Sequence, residues 1–411
     1  MTHASPTHAS PTHASPTRAP ALARPRAVPK PVRRDRTGPS LLRSGGAAVG
    51  LFLGVRLTGT AVLALVAHVA GRDPLRLLAR SWDSVWYLGI AAHGYGHDLP
   101  SHDPGPHSDL AFFPLYPALL RAVTALTPVG GGAAGLMISW AGAAVAAAGI
   151  HAIGTRLHGP ATGVALVLLW GLLPHAVVLS MAYTEPVLTA FAAWSLYAVL
   201  AGNWLWAGAL AAGAGLARPN GFAVAVAVLA AAGAELWRRR GRVSPRLWTG
   251  AALAPLGWTA YVLWVGRRRG DLFGGYFEVQ RRWGSTFDFG HGSLLFLRSM
   301  LLHASRLVFP MALVLVAAAT VLYALLLLDR APLPLLVFSG VLLLVVLGGS
   351  GFFECKPRFL LPAFPLLLPP AGSLARTARA RPWHATVLVA ALAGLSYVYG
   401  AYLVVYAHKP L

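Results

Sequence analysis

Polar residues are sparse along most of this chain and gather between long apolar runs. Eleven apolar stretches stand out, at about 47–70, 133–153, 162–182, 186–201, 204–217, 219–236, 247–266, 307–328, 333–350, 359–373 and 384–406. A helix of about 18 or more apolar residues is long enough to cross a bilayer, whereas shorter ones must tilt, bend or be shielded by neighbours. The first 46 residues follow no such pattern: THASP occurs three times in succession, and Pro and Arg then alternate through Ser44. With no apolar periodicity from which to build a core, this segment reads as a disordered tail. Its three histidines, at repeat spacing in a flexible chain, make a weak metal site. No apolar run begins before about Ala47, which argues against a cleavable signal peptide. The pattern predicts an all-α polytopic membrane protein, with a tail over 1–46 and a transmembrane domain over 47–411.

Residues 112–127 (FFPLYPALLRAVTALT) are ambiguous, because Pro114, Pro117 and Arg121 interrupt apolar residues that recur at helical spacing from Leu115. The positive-inside rule resolves them. The tail places its arginine cluster just before the first span, so the N-terminus is expected in the cytoplasm. If 112–127 lies along the membrane surface, the basic segments 237–246 (WRRRGRVSPR), Asp329–Arg330 and 374–383 (LARTARARPW) all fall inside. This gives about eleven spans, with interfacial helices in a first external loop over 71–132 and a second external loop over 267–306. Arg267–Arg269 is the exception, falling outside. The same arrangement puts Asp83, Asp109, Glu185, Arg218, Asn220, Glu354, Lys356 and Arg358 at one face, the non-cytoplasmic one. Charge bias alone does not force that convergence.

Composition narrows the classes further. Charged residues make up only 11% of the chain and hydrophobic ones 56%, which excludes a soluble enzyme, a disordered scaffold and a disulfide-built domain. The net charge is +21, but the tail holds eight Lys/Arg and one acid, leaving +14 spread over short segments between apolar runs. That distribution suits loops facing anionic lipid and not a nucleic-acid groove. Cys355 is the single cysteine, so no intramolecular disulfide forms. No GxxxxGK[ST], HExxH or Cys/His cluster with metal-site spacing occurs.

Four segments carry candidate chemistry. In RSWDSVWYLGIAAHGYGHD (Arg80–Asp98), Trp82, Trp86, Tyr87 and Ile90 recur at helical spacing, which predicts an amphipathic helix at the lipid–water boundary. Asp83 near its start either caps that helix or acts as a base toward an acceptor hydroxyl. In MAYTEP (Met181–Pro186), Glu185 either stabilises a helix N-terminus or serves a site. In ARPNG (Ala217–Gly221), Arg218 breaks a stretch of otherwise nearly uncharged residues. A charge at membrane depth costs about 2.5–3.5 kcal/mol and is usually paired or functional. The Pro-Asn-Gly turn beside it offers a guanidinium and free amides suited to phosphate. In GFFECKPRFLLPAFP (Gly351–Pro365), Glu354, Lys356 and Arg358 lie between two apolar runs, and the two cations form a potential phosphate clamp. Arg281, Arg282, Trp283 and Asp288 in the second external loop are candidate lid residues.

Taken together, WDSVWYLGIAAHGY, AFFPLYP (with Tyr116), the YTEP glutamate, ARPNG and KPRFLLPAFPL resemble PIG-V-type mannosyltransferases, in particular their bacterial members. The segments recur in family order over about residues 47–407. The resemblance implies a polytopic glycosyltransferase of the GT-C class that uses a lipid-phosphate sugar donor. It also implies that Asp83 is the essential acid of the first external loop. By the same likeness Trp82, Trp86, Tyr87, Tyr116, Glu185, Arg218, Asn220, Glu354, Lys356 and Arg358 fall where family motifs lie and contact substrate. The implied reaction moves mannose from polyprenyl-phosphate mannose to an acceptor hydroxyl at the outer face, by inverting single displacement. Expected partners are that donor and membrane lipid, with no nucleic acid, and a divalent cation is compatible with the class. The THASP tail and the Pro/His/Asp-rich insert His97–Asp109 depart from the family pattern. A secondary transporter or flippase also places rare charges inside a polytopic bundle. That class calls for related halves and a midplane site, and the only internal repeat is THASP.

Overall fold

The computed structural model describes residues 1–3, 39–96, 107–302 and 307–407. Gly38–Leu411 forms one compact unit. Among the described residues there are eighteen α-helices, short 3-10 turns and no strand apart from one isolated bridge between Phe287 and Gly349. The first third holds α1 (Pro39–Val69), α2 (Pro74–Ala79), α3 (Asp83–His93), α4 (Leu115–Leu126), α5 (Gly131–His158) and α6 (Pro160–Gly171). The middle holds α7 (Glu185–Ala201), α8 (Trp204–Ala217), α9 (Phe222–Arg238), α10 (Pro245–Leu253), α11 (Leu256–Arg269) and α12 (Gly275–Arg282). The last third holds α13 (His291–Leu302), α14 (Val308–Leu328), α15 (Leu333–Gly348), α16 (Lys356–Phe359), α17 (Leu368–Ala380) and α18 (Pro382–Val405).

Among the described residues five helices are long and apolar enough to cross a membrane: Ser44–Val69, Gly131–His158, Pro219–Arg238, Val308–Leu328 and Pro382–Val405. The segments Phe353–Phe359 and Phe364–Ala380, bent by 76° at their junction, make a sixth if taken as one broken span. The expected eleven spans therefore do not appear as eleven helices of crossing length. Pro160–Gly171, Glu185–Ala201, Trp204–Ala217 and Leu333–Gly348 are apolar but shorter. Polar and proline-bearing breaks, such as TEP and ARPNG, cut the apolar sequence into these pieces. Leu115–Leu126 has only 12 residues, about 18 Å of helix, too short to cross a bilayer alone. Helix α1 reaches back to Pro39, into the segment assigned to the tail, because Pro39 supplies a favoured helix start. Most of the THASP tail and residues 97–106 of the insert lie outside the described residues.

The core is built from α5, α6, α7, α8 and α9, with α1 and α18 packed along one side. Alanine and glycine dominate α5 and α8, which brings backbones close. Antiparallel α7 and α8 connect through left-handed Gly202, so the start of α7 and the end of α8 lie at the same end of the bundle. That end carries the site.

Candidate functional site: a buried quartet of opposite charges

Four charged side chains from four different segments meet at that end. Asp83 is the first residue of α3, and Trp82, the residue before it, makes no side-chain capping bond. The Asp83 carboxylate is turned to two arginines: Oδ2 lies 2.9 Å from Nη1 of Arg358 and 3.8 Å from Nη2 of Arg218. Glu185, the first residue of α7, meets the same two. Its Oε1 lies 2.5 Å from Nη1 of Arg218 and 3.2 Å from Nε of Arg358. Each guanidinium thus bridges both carboxylates, and the quartet is formally neutral. Its members differ in exposure, since the Glu185 side chain is 1% exposed and that of Asp83 18%.

Local structure explains how each residue arrives. The MAYTEP segment is pinned from three sides. Ser139 on α5 accepts from the Tyr183 amide at 3.1 Å and donates to its carbonyl at 2.7 Å, and the Ala182 amide donates to Leu78 of α2. The Thr184 hydroxyl donates to the Ala217 carbonyl at the end of α8, which holds Glu185 beside Arg218. Arg218 is extended, and Pro219–Gly221 then makes one 3-10 turn into α9. A Cβ on Gly221 would collide with the Ala214 carbonyl, so only glycine allows this turn. Arg358 sits on the one-turn helix α16 within the bent Phe353–Ala380 segment, and Trp170 donates to the Leu361 carbonyl just beyond it. The Phe359 ring lies under both guanidiniums, 5.3 Å from Arg358 and 5.8 Å from Arg218, and the Tyr183 ring lies 5.4 Å from Arg358. These are cation–π distances.

The quartet is short of aligned hydrogen bonds. Glu185 Oε1, Nη1 of Arg218 and Nε and Nη1 of Arg358 are buried within ion-pair reach but without hydrogen-bond geometry, and Glu185 Oε2 is buried without a hydrogen bond among the described residues. The Tyr183 hydroxyl and Asn220 Oδ1, also buried, have no hydrogen-bond partner among the described residues. Buried polar atoms are normally bonded, and a local excess of unbonded ones marks strain or a place for a ligand. Backbone strain adds to it. Trp82 has φ 50° and ψ −117°, and Phe352, ahead of the Lys356–Phe359 helix, has φ 41°. Left-handed backbone in such bulky residues costs about 1–3 kcal/mol each and clusters at functional sites. The donor set does not suit a resident divalent cation, since both carboxylates are already engaged by guanidiniums. Among the described residues no group of three or more His, Cys, Asp or Glu side chains gathers as metal donors.

The other expected site residues fall elsewhere. Lys356 faces away from the carboxylates. Its ammonium donates to Ser293 Oγ at 2.7 Å and to the carbonyls of Val346 and Gly349 at 2.6 and 2.8 Å. Glu354 lies on the turn before α16, outside the quartet. Asn220 lies on the ARPNG turn two residues past Arg218. The helix expected around Trp82–Ile90 forms, but its aromatic face is buried. Trp86 stacks on Phe112 and meets Trp283 edge-on, and Tyr87 meets Phe112 and Tyr116. The Tyr116 hydroxyl is engaged by Gly135 and Ser139 of α5. Burial pushes the Tyr87 phenol well above its ordinary pKa, so it stays protonated beside the quartet. Of the lid candidates, Trp283 locks onto the segment between α3 and α4 by donating to the Ser108 carbonyl. Arg281 and Arg282 pair with Glu278, and Asp288 accepts from the Gly290 and Gly292 amides.

Three buried residues escaped sequence reasoning. Tyr183 lines the quartet, and His175 lies between α6 and α7 with both ring nitrogens unbonded. Arg56, in the middle of α1, donates to Ser180 Oγ and to the Gly171 carbonyl. A lone arginine inside an apolar run, the signal that exposed Arg218, was present at Arg56 as well.

Comparison with solved structures gives the fold a precedent. The oligosaccharyltransferase of Archaeoglobus fulgidus in its apo form superposes with a TM-score of 0.50 at 12% identity, covering 88% of this chain and 56% of that one. The likeness is one of fold. This chain spans little more than half of the archaeal enzyme's length. A second structure of that oligosaccharyltransferase, in complex with an inhibitory peptide and a dolichol-phosphate, aligns with a TM-score of 0.45 at 12% identity, over 88% of this chain and 56% of that one. No family model matches the sequence, and no curated protein matches it significantly.

Proposed function

We propose that the chain is a multi-pass membrane glycosyltransferase of the PIG-V-like kind. In this reading it transfers mannose from a polyprenyl-phosphate donor to an acceptor hydroxyl at the non-cytoplasmic face of the cell membrane. The observation that carries the reading is the quartet of Asp83, Glu185, Arg218 and Arg358, buried at one end of a GT-C-type bundle. The partly exposed carboxylate supplies a base, and two guanidiniums supply the fork geometry that suits a phosphate.

The reaction is a single displacement. Asp83 accepts the proton of the acceptor hydroxyl as its oxygen attacks the anomeric carbon, and the bond from that carbon to the phosphate oxygen breaks. The leaving polyprenyl phosphate gains negative charge, which Arg218 and Arg358 stabilise while Glu185 holds them in register. A β-linked donor yields an α-mannoside. The test is transfer from radiolabelled polyprenyl-phosphate mannose in membranes, with wild type beside Asp83→Asn and Arg218→Lys at matched expression. Loss of a general base costs about 10²–10⁴-fold in rate, so Asp83→Asn should be nearly silent. Full activity of Asp83→Asn would overturn the base, and no transfer by the wild type would favour a transporter of a lipid-linked substrate.

A further inference from the structure

The quartet as it stands leaves neither carboxylate nor guanidinium free. Both arginines that would hold a phosphate are occupied by Asp83 and Glu185, and the carboxylate that would take a proton is held by Arg358 at 2.9 Å. We propose that Asp83 is a displaceable plug in this quartet: the donor phosphate takes its place on Arg358 and Arg218, and only the displaced carboxylate is available to the acceptor. This deepens the reading above and rests on it. It makes binding ordered, with donor before acceptor.

Three observations identify Asp83 as the member that moves. It is the most exposed of the four, at 18% against 1–8% for the others, so an incoming headgroup meets it first. Its hold is uneven, since Arg358 is close but Arg218 is 3.8 Å away, whereas Glu185 lies within 3.2 Å of both. It also follows Trp82, whose strained backbone is retained only while the surroundings impose it. Letting Asp83 go permits that strain to relax. Glu185 has no such freedom, because its helix start is tied through Thr184 to Ala217 and through Tyr183 to Ser139.

Charge favours the exchange. A lipid-linked sugar phosphodiester carries one negative charge and replaces one carboxylate, so the buried site stays neutral and no unpaired ion is left in low dielectric. The displaced Asp83 remains at the exposed edge with its lone pairs unoccupied. After transfer the leaving phosphate monoester carries more charge than the diester did. It therefore binds more tightly than the donor did, and Asp83, having given up its proton, returns to the arginines only once that product has left.

The experiment measures binding of a radiolabelled polyprenyl monophosphate to the purified full chain in lipid nanodiscs. Asp83→Asn removes the competing charge while keeping the side-chain shape, and should bind the lipid phosphate about tenfold or more tightly than wild type. Equal or weaker binding by an Asp83→Asn protein of unchanged melting temperature overturns the plug. A second measurement needs no variant. With ¹³C-labelled aspartate, infrared difference spectra of the wild type should show a carboxylate band shifting when the lipid phosphate is added. No such shift in wild type that demonstrably binds the lipid also overturns the plug. Failure of the parent reading is distinct: neither protein would then bind polyprenyl phosphate at all.

Discussion

Lys356 and Arg358 lie on the same one-turn helix, two positions apart, and meet opposite environments. The Lys356 ammonium has three donors and three neutral acceptors, each at 2.6–2.8 Å. It clasps the end of α15 to the start of α13 and is saturated. Arg358 is packed against two aromatic rings and two carboxylates without one aligned hydrogen bond from its Nε or Nη1. A cation satisfied by the protein's own neutral groups is a structural tie. A cation held by carboxylates, among buried polar atoms without hydrogen-bond partners, has the energetic slack to accept a ligand. Sequence presented the two as equivalent halves of one phosphate clamp, and the fold separates them.

Substitutions sharpen or break that contrast. The largest effect is expected for Arg358→Lys, which keeps the charge but loses the planar fork. Transfer should drop about 10²–10³-fold while the melting temperature stays within a few degrees. For Lys356→Met the order reverses. Ser293 and two carbonyls lose their donor, at about 1–3 kcal/mol, so the thermal midpoint in detergent falls while transfer per folded molecule stays near wild type. If Lys356→Met silenced transfer as Arg358→Lys does, the division between tie and site would collapse. Smaller still is Tyr116→Phe, whose hydroxyl is engaged only by α5. It should cost about 1 kcal/mol of stability with no change in transfer. A change in the apparent donor affinity of this variant would return Tyr116 to the site.

The smallest effect is expected at Glu278. Hydrogen bonds from Arg281 and then Arg282 hold its carboxyl below the ordinary range. The sign follows: the pair's contribution is present above the unfolded carboxyl pKa and is lost as pH falls through the folded value. Because Glu278 is exposed, salt screens that contribution. Glu278→Gln should leave both melting and transfer unchanged at neutral pH in 150 mM salt, and a measurable loss of transfer would make α12 part of the site.

Much of the candidate site was legible because charge is scarce in this chain. Asp83, Glu185, Arg218 and Arg358 each interrupt or flank an apolar run, and the cost of a charge near lipid makes such a residue conspicuous. Their neighbours were harder to sort. Trp86, Tyr87 and Tyr116 look like substrate-facing aromatics at helical spacing, yet they close an internal wall with Phe112 and Trp283. Periodicity reports which residues share a face and not what covers it, and α4 and the Trp283 turn cover this one. Tyr183 and His175 carried no signal, because a single polar aromatic in an apolar run is as often core as site.

The sequence by itself determined an all-helical, membrane-type architecture, the break points of its helices and the short roster of residues able to do chemistry. Those follow from local rules: apolar run length, proline and glycine placement, and the price of burying charge. Only the tertiary structure decided which of the roster meet. Asp83, Glu185, Arg218 and Arg358 are far apart in the chain, and their contact depends on the Tyr183–Ser139 and Thr184–Ala217 bonds and on the close turn at Gly221. Helix lengths were decided there too. Packing against neighbours lets α6, α7, α8 and α15 stop short of a full crossing, which composition along one segment cannot reveal because the shielding comes from the others.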